Sequence, residues 1–234
     1  MTAGQASRGL TDQHRWYLDA YGYLAVRGLL TADIGEISAA FDAVFDDPAN
    51  PRLKWEPPGH RGHPQWMMGD FVEKHPLLAE LPRDPRLVGL AHDLLGADAV
   101  YVGDDGSIYR CETEWHCDTP AVHADCRHLK FAIYLDPVGQ AVGAPRLLPG
   151  SHHLDVAGAG PLNRYLGYDG AIEERTGMRG EDLPHWGLGC APGDVLLWDF
   201  RIMHASYGTL APRRQIALNF RAASPEGPAA GGTS

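Results

Sequence analysis

No two of the chain's four cysteines, Cys111, Cys117, Cys126 and Cys190, form a CxxC pair, which leaves out a zinc knuckle and a dithiol redox motif. Positive charge is scarce as well. Twenty Lys and Arg stand against thirty Asp and Glu, a formal charge of −10, and such a surface repels the phosphate backbone of a nucleic acid and an anionic membrane alike. No run approaches the roughly 18 to 20 apolar residues of a membrane span. The polar opening MTAGQASRGLTDQ also lacks the apolar centre of a secretory signal. These absences together lead to the expectation of a cytoplasmic protein with free thiols, a small-molecule partner and neither nucleic acid nor membrane as partner.

What is present suits one globular domain: 234 residues, 44% hydrophobic and 21% charged, are enough for a sizeable core, and β-rich domains of this length are commonly undivided. The texture changes once along the chain. Residues 11–96 read as helical, with Thr11 capping DQHRWYLDAYG, a short strand YLAVRGLL, Thr31 capping ADIGEISAAFDAVF, and Pro85–Leu95 stopped by Gly96. Residues 99–222 read as β-rich, in short β-branched and aromatic runs (AVYVG, SIYRCE, LKFAIYLD, RLLPG, DVLLWDF, QIALNFRA) separated by Gly, Pro and Asp. This is the spacing of a jelly roll. Residues 1–10 and 223–234 are expected to be flexible ends. Between the halves, PRLKWEPPGHRGHPQWMMGDF has the composition of an irregular loop, so Trp55, His60, His63, Trp66, Met67 and Met68 become candidates for a lid over a pocket, with Arg146 at its mouth.

The chemistry is concentrated in His116-Cys117-Asp118, answered by His204 and, nine residues later, by Arg213. Two imidazoles and one carboxylate form the ligand set that non-haem Fe(II) oxygenases present on one face of the metal. In an extended strand residues i and i+2 share a face, so His116 and Asp118 converge while Cys117 turns away. His204 follows the apolar run DVLLWDF. Arg213 heads a strand expected to run antiparallel to that run, and its guanidinium suits a carboxylate bidentately. Neighbouring residues on a strand face opposite ways, so only one of Arg213 and Arg214 points inward; Arg213 is favoured. Two further triplets compete for the metal, His123-Ala124-Asp125 and His153-Leu154-Asp155.

The ordered motifs resemble the phytanoyl-CoA dioxygenase family. WHCD stands where that family has its HxD ligand pair, GAPRLLPGSHH is similar to its PGSH stretch, and HAS followed by RRQIALNF is similar to its closing segment, so the likeness covers roughly residues 15 to 222. The resemblance implies a mainly β, double-stranded β-helix (jelly roll, cupin-like) with N-terminal helices packed on it. It implies Fe(II) held by His116, Asp118 and His204, with 2-oxoglutarate held by Arg213, assisted by the Ser206 hydroxyl and by Lys130. Two departures are visible: Val142 replaces the family's Asn, with Pro145 following Ala144, and the interval from His204 to Arg213 is about two residues shorter than in some members.

The implied reaction is a 2-oxoglutarate- and O2-dependent oxidation of an unactivated C–H in a small metabolite or natural-product intermediate of secondary metabolism, releasing succinate and CO2. Related halogenases replace the ligand carboxylate by a small residue to admit chloride; Asp118 fills that position, so hydroxylation, or desaturation or ring closure, is expected instead. Two other classes stand beside this reading. A non-catalytic cupin-like binding protein would not need the ligand set, and a metal-dependent hydrolase or isomerase would turn over without O2.

Overall fold

A computed structural model describes residues 9–56, 61–62, 65–118, 126–154, 161–166, 171–208 and 211–223. Of the expected flexible ends, residues 1–8 and 224–234 lie outside the described residues, whereas Leu10 is buried in the core and its N–H donates to Asp93 Oδ2 at 2.9 Å. His60, His63, the whole His123-Asp125 triplet and Asp155 also lie outside the described residues; of Trp55 the backbone alone is described.

Two antiparallel sheets face each other. The strands are β1 (Tyr23–Val26), β2 (Leu53–Trp55), β3 (Arg61–Gly62), β4 (Gln65–Gly69), β5 (Val100–Tyr109), β6 (Cys111–His116), β7 (His128–Tyr134), β8 (Val142–Leu147), β9 (Trp186–Gly187), β10 (Val195–Asp199), β11 (His204–Gly208) and β12 (Arg213–Arg221). The larger sheet runs β1-β10-β7-β12-β5-β4-β2 and the smaller β3-β6-β11-β8-β9. The mainly β jelly roll expected from the sequence is what the chain builds. Three longer helices precede the main strands: α1 (Asp12–Tyr21), α2 (Ile34–Asp46) and α3 (Pro85–Leu95). Among the described residues no helix is long and apolar enough to cross a membrane.

Strand alternation sorts the larger sheet into two surfaces. Leu129, Phe131 and Ile133 of β7, Val195 and Leu197 of β10, and Ile216, Leu218 and Phe220 of β12 pack into one cluster with Phe41 and Phe45 of α2 and Leu87 and Leu90 of α3. Each fully buried side chain of this size contributes roughly 1.5–3 kcal/mol, so this layer is where most of the stability lies. The residues between them, Lys130 and Tyr134 of β7, Trp198 of β10, Arg213 and Gln215 of β12, turn to the space between the sheets. Polar and charged residues in central strands are therefore a signature of what the inner face does.

The helices form largely where expected. Thr11 starts α1, its backbone N–H donating to His14 Nδ1 at 3.1 Å, and Gly22 ends it in the left-handed conformation at φ 82. The structure corrects four expectations. The second helix begins at Ile34 with Asp33 at its N-cap, because Leu30 to Asp33 are spent in a turn, so Thr31 does not cap it. The segment 53–69, expected as an irregular loop, supplies β2 and β4, which extend the larger sheet from β5. AVYVG and SIYRCE, expected as separate strands, divide differently: Val100 to Tyr109 form the single strand β5, and Cys111 and Glu112 open β6. Finally, β12 is not the antiparallel neighbour of β10: β7 lies between them and pairs antiparallel with both.

Candidate active site

The two histidines meet because their strands do. In the antiparallel pair of β6 and β11, His204 stands opposite His116, while Ser206 stands opposite Thr113. Three steps along β6 therefore match two along β11. That one-residue bulge breaks the alternation and lets both Thr113 and His116 face the cavity. Asp118 follows just beyond the end of β6, tied down by its backbone N–H, which donates to Phe200 O at 2.9 Å.

One ligand atom each from His116, Asp118 and His204 lie within 4.8 Å of one another, close enough for a single ion to touch all three. The imidazole rings sit with centroids 4.2 Å apart. His116 Nδ1 lies 2.7 Å from Glu114 O and His204 Nδ1 lies 3.0 Å from Ile202 O. Carbonyls accept only, so each Nδ1 carries the proton and each Nε2 keeps its lone pair for a metal, the arrangement that metal-binding histidines need. Burial, reinforced by the neighbouring His204, pushes His116 down to about 3, and burial likewise lowers His204, so both rings are neutral donors at neutral pH. Burial works to raise the Asp118 carboxyl, but Lys130 and the two histidines outweigh it and hold the group well below the usual carboxylate range.

Asp118 is clamped on both oxygens. Lys130 Nζ donates to Oδ1 at 2.5 Å and Trp198 Nε1 donates to Oδ2 at 2.8 Å. Lys130 and Trp198 are register partners on β7 and β10, so one row of the larger sheet supplies both donors. Lys130 thus sits in the middle of a sheet with its ammonium on Asp118, not in solvent at an edge. Cys117, between the two cavity-facing residues, points the other way into an apolar cluster with Trp115, Met203 and Tyr207. None of the four cysteines is in a disulfide.

Arg213 occupies the other end of the same cavity, whose volume is about 290 Å³. It is 4% exposed, and its guanidinium donates to Val142 O at 3.2 Å and to Cys111 O at 2.9 Å. The room it needs comes from Gly143, where a Cβ would fall 1.4 Å from Arg213 Nη1. Ser206 Oγ donates to Gly143 O at 2.9 Å beside it. Arg214 faces outward and binds Asp136 at 2.8 Å and Asp42 at 2.7 Å. Of the two arginines, Arg213 is the one that lines the cavity.

The remaining expectations sort by the same alternation. Gln65 and Met67 of β4 line the cavity, whereas Met68 is buried in the helix-side core with Trp66 packed against it; of the three lid candidates whose side chains are described, Met67 alone lines the cavity, as part of a wall. Arg146 is not at the mouth: it lies 5.3 Å from the Tyr207 ring and donates to Glu181 O at 2.6 Å on the far side of the smaller sheet. His153 is far from the cluster too, its Nε2 2.7 Å from Asp19 O. Sequence reading missed Trp198, Tyr109 and Asp105, all on the inner face. Asp105 Oδ1 accepts from Ser107 Oγ at 2.9 Å, which in turn accepts from Gln65 Nε2 at 3.3 Å. Asp and Gly in the middle of β5 signal a turn, which hid a strand whose alternate residues are functional.

A jelly roll that gathers two neutral imidazoles and a carboxylate at one end of a cavity, with a buried guanidinium at the other, defines a 2-oxoglutarate-dependent non-haem iron oxygenase. Residues 18–215 match the family model for phytanoyl-CoA dioxygenase (PhyH), and the chain belongs to that family. The ectoine dioxygenase of Sphingopyxis alaskensis is 27% identical over 221 residues, 83% of this chain and 69% of that protein. Among solved structures, the non-haem α-ketoglutarate-dependent carbocyclase SnoK from nogalamycin biosynthesis superposes with a TM-score of 0.72 at 18% identity, covering 97% of this chain and 96% of that one. The epimerase SnoN, in complex with Fe3+, α-ketoglutarate and nogalamycin RO, gives a TM-score of 0.72 at 20% identity, covering 91% of this chain and 83% of that one.

Proposed function

We propose that the chain hydroxylates an unactivated C–H of a small metabolite or natural-product intermediate, using Fe(II), 2-oxoglutarate and O2 and releasing succinate and CO2. The observation that carries this reading is the pairing of two features in one cavity: the cluster of His116, Asp118 and His204, and Arg213 at the opposite end with its guanidinium turned inward.

The donor set suits iron. Both Nε2 atoms and the Asp118 carboxylate converge from one side, and each is oriented by a hydrogen bond to backbone or to Lys130 and Trp198. When bound, Fe(II) supplies coordination for the keto acid and the reactivity toward O2 that oxidation of a C–H requires. The rest is the work of the protein. Arg213 supplies the charge-assisted hydrogen bonds that fix the distal carboxylate of 2-oxoglutarate, with Ser206 beside it. Lys130 neutralises Asp118 and, with Trp198, fixes its rotation, so the carboxylate is held in place before the metal arrives. Tyr109, in the same row as Arg213, and Tyr134 line the cavity and narrow the space left for water. Asp118 occupies the coordination place that a halide would need, which favours oxygen transfer.

The experiment is succinate release from the Fe(II)-loaded protein against a panel of small metabolites, with and without O2, and with mass detection of a product heavier by one oxygen atom. O2-dependent succinate with such a product supports the proposal. Turnover without O2 would assign the site to a hydrolase or isomerase, and binding without turnover to a carrier.

A further inference from the structure

Four side chains that an oxidant attacks readily line the cavity: Met67, Tyr109, Tyr134 and Trp198. The register of the larger sheet ranks them by distance from the ligand cluster. Trp198 shares a row with Lys130, whose ammonium is on Asp118. Tyr134 lies four residues further along β7, roughly 13 Å of strand, in the row of Gln215. Met67 belongs to that row as well, through Ser107, and Tyr109 belongs to the row of Arg213. Three of the four are therefore toward the cosubstrate anchor, and Trp198 is at the ligands.

Contacts place the indole closely. Trp198 is 3% exposed, its Nε1 donates to Asp118 Oδ2 at 2.8 Å, and its ring centroid is 5.4 Å from that of His204. The two ring carbons bonded to Nε1 lie within roughly 4.2 Å of Oδ2, one C–N bond beyond the donor. An ion held by Asp118 and His204 is thus flanked by an indole, the side-chain ring whose face carries the most electron density. Phe200 is also near, since its carbonyl accepts the Asp118 N–H, but its ring does not line the cavity.

We infer that Trp198 is a site of oxidative modification: without a C–H substrate, the protein hydroxylates its own indole at a ring carbon. The inference rests on the oxygenase reading for its chemistry. A site closed over its substrate keeps the oxidising equivalent from side reactions, and when the substrate's place is empty the nearest bonds are those of the wall. The step balances with the reactants of the proposed reaction. One indole C–H, one O2 and one 2-oxoglutarate give one hydroxyindole, one succinate and one CO2. One oxygen atom enters the new C–OH and the other the new carboxylate of succinate; two electrons come from the ring carbon and two from the decarboxylation. Nε1 keeps its proton, so the modified residue still holds Asp118 Oδ2.

The test gives the Fe(II)-loaded protein 2-oxoglutarate and isotopically heavy O2 with no other substrate, and reads the intact mass and the fragment spectra of its peptides. The expected result is a gain of one labelled oxygen atom per chain, located on Trp198, absent when 2-oxoglutarate is omitted and absent from Trp198→Phe. A loaded wild type whose mass does not change would overturn the inference. So would a gain that falls on Met67, Tyr109 or Tyr134, or one that appears without 2-oxoglutarate. A second measurement needs no turnover: anaerobic Fe(II) should quench tryptophan fluorescence in the wild type and quench it less in Trp198→Phe, and equal quenching would also count against the placement. The wild-type peptide map decides the matter even where the substitution unfolds the chain. Failure to take up iron or 2-oxoglutarate is read in the loading step and counts against the oxygenase reading itself, whereas uptake of both with an unmodified Trp198 counts against this inference alone.

Discussion

His116 and His204 occupy the same register position of one antiparallel strand pair, so the distance between the two imidazoles is set by the backbone ladder of β6 and β11. The third ligand candidate is fastened to the same framework, because the Asp118 N–H donates to Phe200 O, just ahead of β11. A site built on paired strands in this way is organised without the metal, and single side chains can be removed from it without dismantling the sheet.

Alanine at His116, Asp118 or His204 should each abolish iron retention and succinate release while leaving the far-ultraviolet circular dichroism intact. His123→Ala should keep both. Iron content by metal analysis after desalting checks this, and the opposite pattern would transfer the site to the His123-Asp125 triplet.

Arg213→Ala removes charge-assisted hydrogen bonds worth about 1.5–3 kcal/mol, so the Kd for 2-oxoglutarate should rise by roughly ten- to a hundredfold. Gly143→Ala should do the same without changing any charge, since its Cβ would fall 1.4 Å from Arg213 Nη1. Arg214→Ala should leave the Kd unchanged and cost at most about 1 kcal/mol of stability, the usual range for pairs at the surface. Calorimetric titration of 2-oxoglutarate into the Fe(II)-loaded variants separates the three.

Lys130→Met keeps the length of the side chain and removes the ammonium from Asp118 Oδ1. The Kd for Fe(II) should rise by about tenfold or more, as for loss of other partners that orient metal ligands, with the Kd for 2-oxoglutarate little changed. The reverse split, weaker 2-oxoglutarate at unchanged iron affinity, would make Lys130 a direct cosubstrate contact, the role the family resemblance implies.

How much of this was legible in the sequence follows from the physics of each element. Apolar alternation in LKFAIYLD, DVLLWDF and QIALNF announced central strands, and HxD spacing announced the side chains that share a face. Gly96 marked the end of α3. The register was not legible, because nothing local states that β7 separates β10 from β12. Nor was the wall formed by β4 and β5: QWMMG is too short to show alternation, and Asp and Gly in VYVGDDGSIY are turn formers on their own. There Asp104 Oδ1 accepts the Val72 N–H at 2.9 Å and Asp105 faces the cavity, so tertiary partners override the local preference.

Asp199 predicts how the fold responds to acid. The residue is fully buried and bonds Arg201 Nη2 at 2.8 Å and Arg127 Nε at 3.2 Å. Burial raises its carboxyl, but Arg201 and Arg127 outweigh that and hold it below the ordinary carboxylate range. A lowered folded value means that the contribution is complete above the unfolded pKa of about 3.9 and is lost as pH falls through the folded one. Asp199→Asn should therefore lower Tm at pH 7, by an amount corresponding to about 1–3 kcal/mol, and flatten the loss of stability below pH 4. Thermal melts of both proteins from pH 3 to 7 measure it; parallel curves would mean that Asp199 does not carry the acid response.

The central claim, that one ferrous ion is shared by His116, Asp118 and His204 with 2-oxoglutarate anchored by Arg213, is tested most directly by anaerobic titration of Fe(II) and then 2-oxoglutarate into the protein, followed by visible absorption. The account predicts a charge-transfer band that saturates at one iron and one keto acid per chain, is absent from Asp118→Ala, and requires a higher 2-oxoglutarate concentration in Arg213→Ala. A wild-type protein that gives no band, or an Asp118→Ala protein that gives the full one, would contradict it.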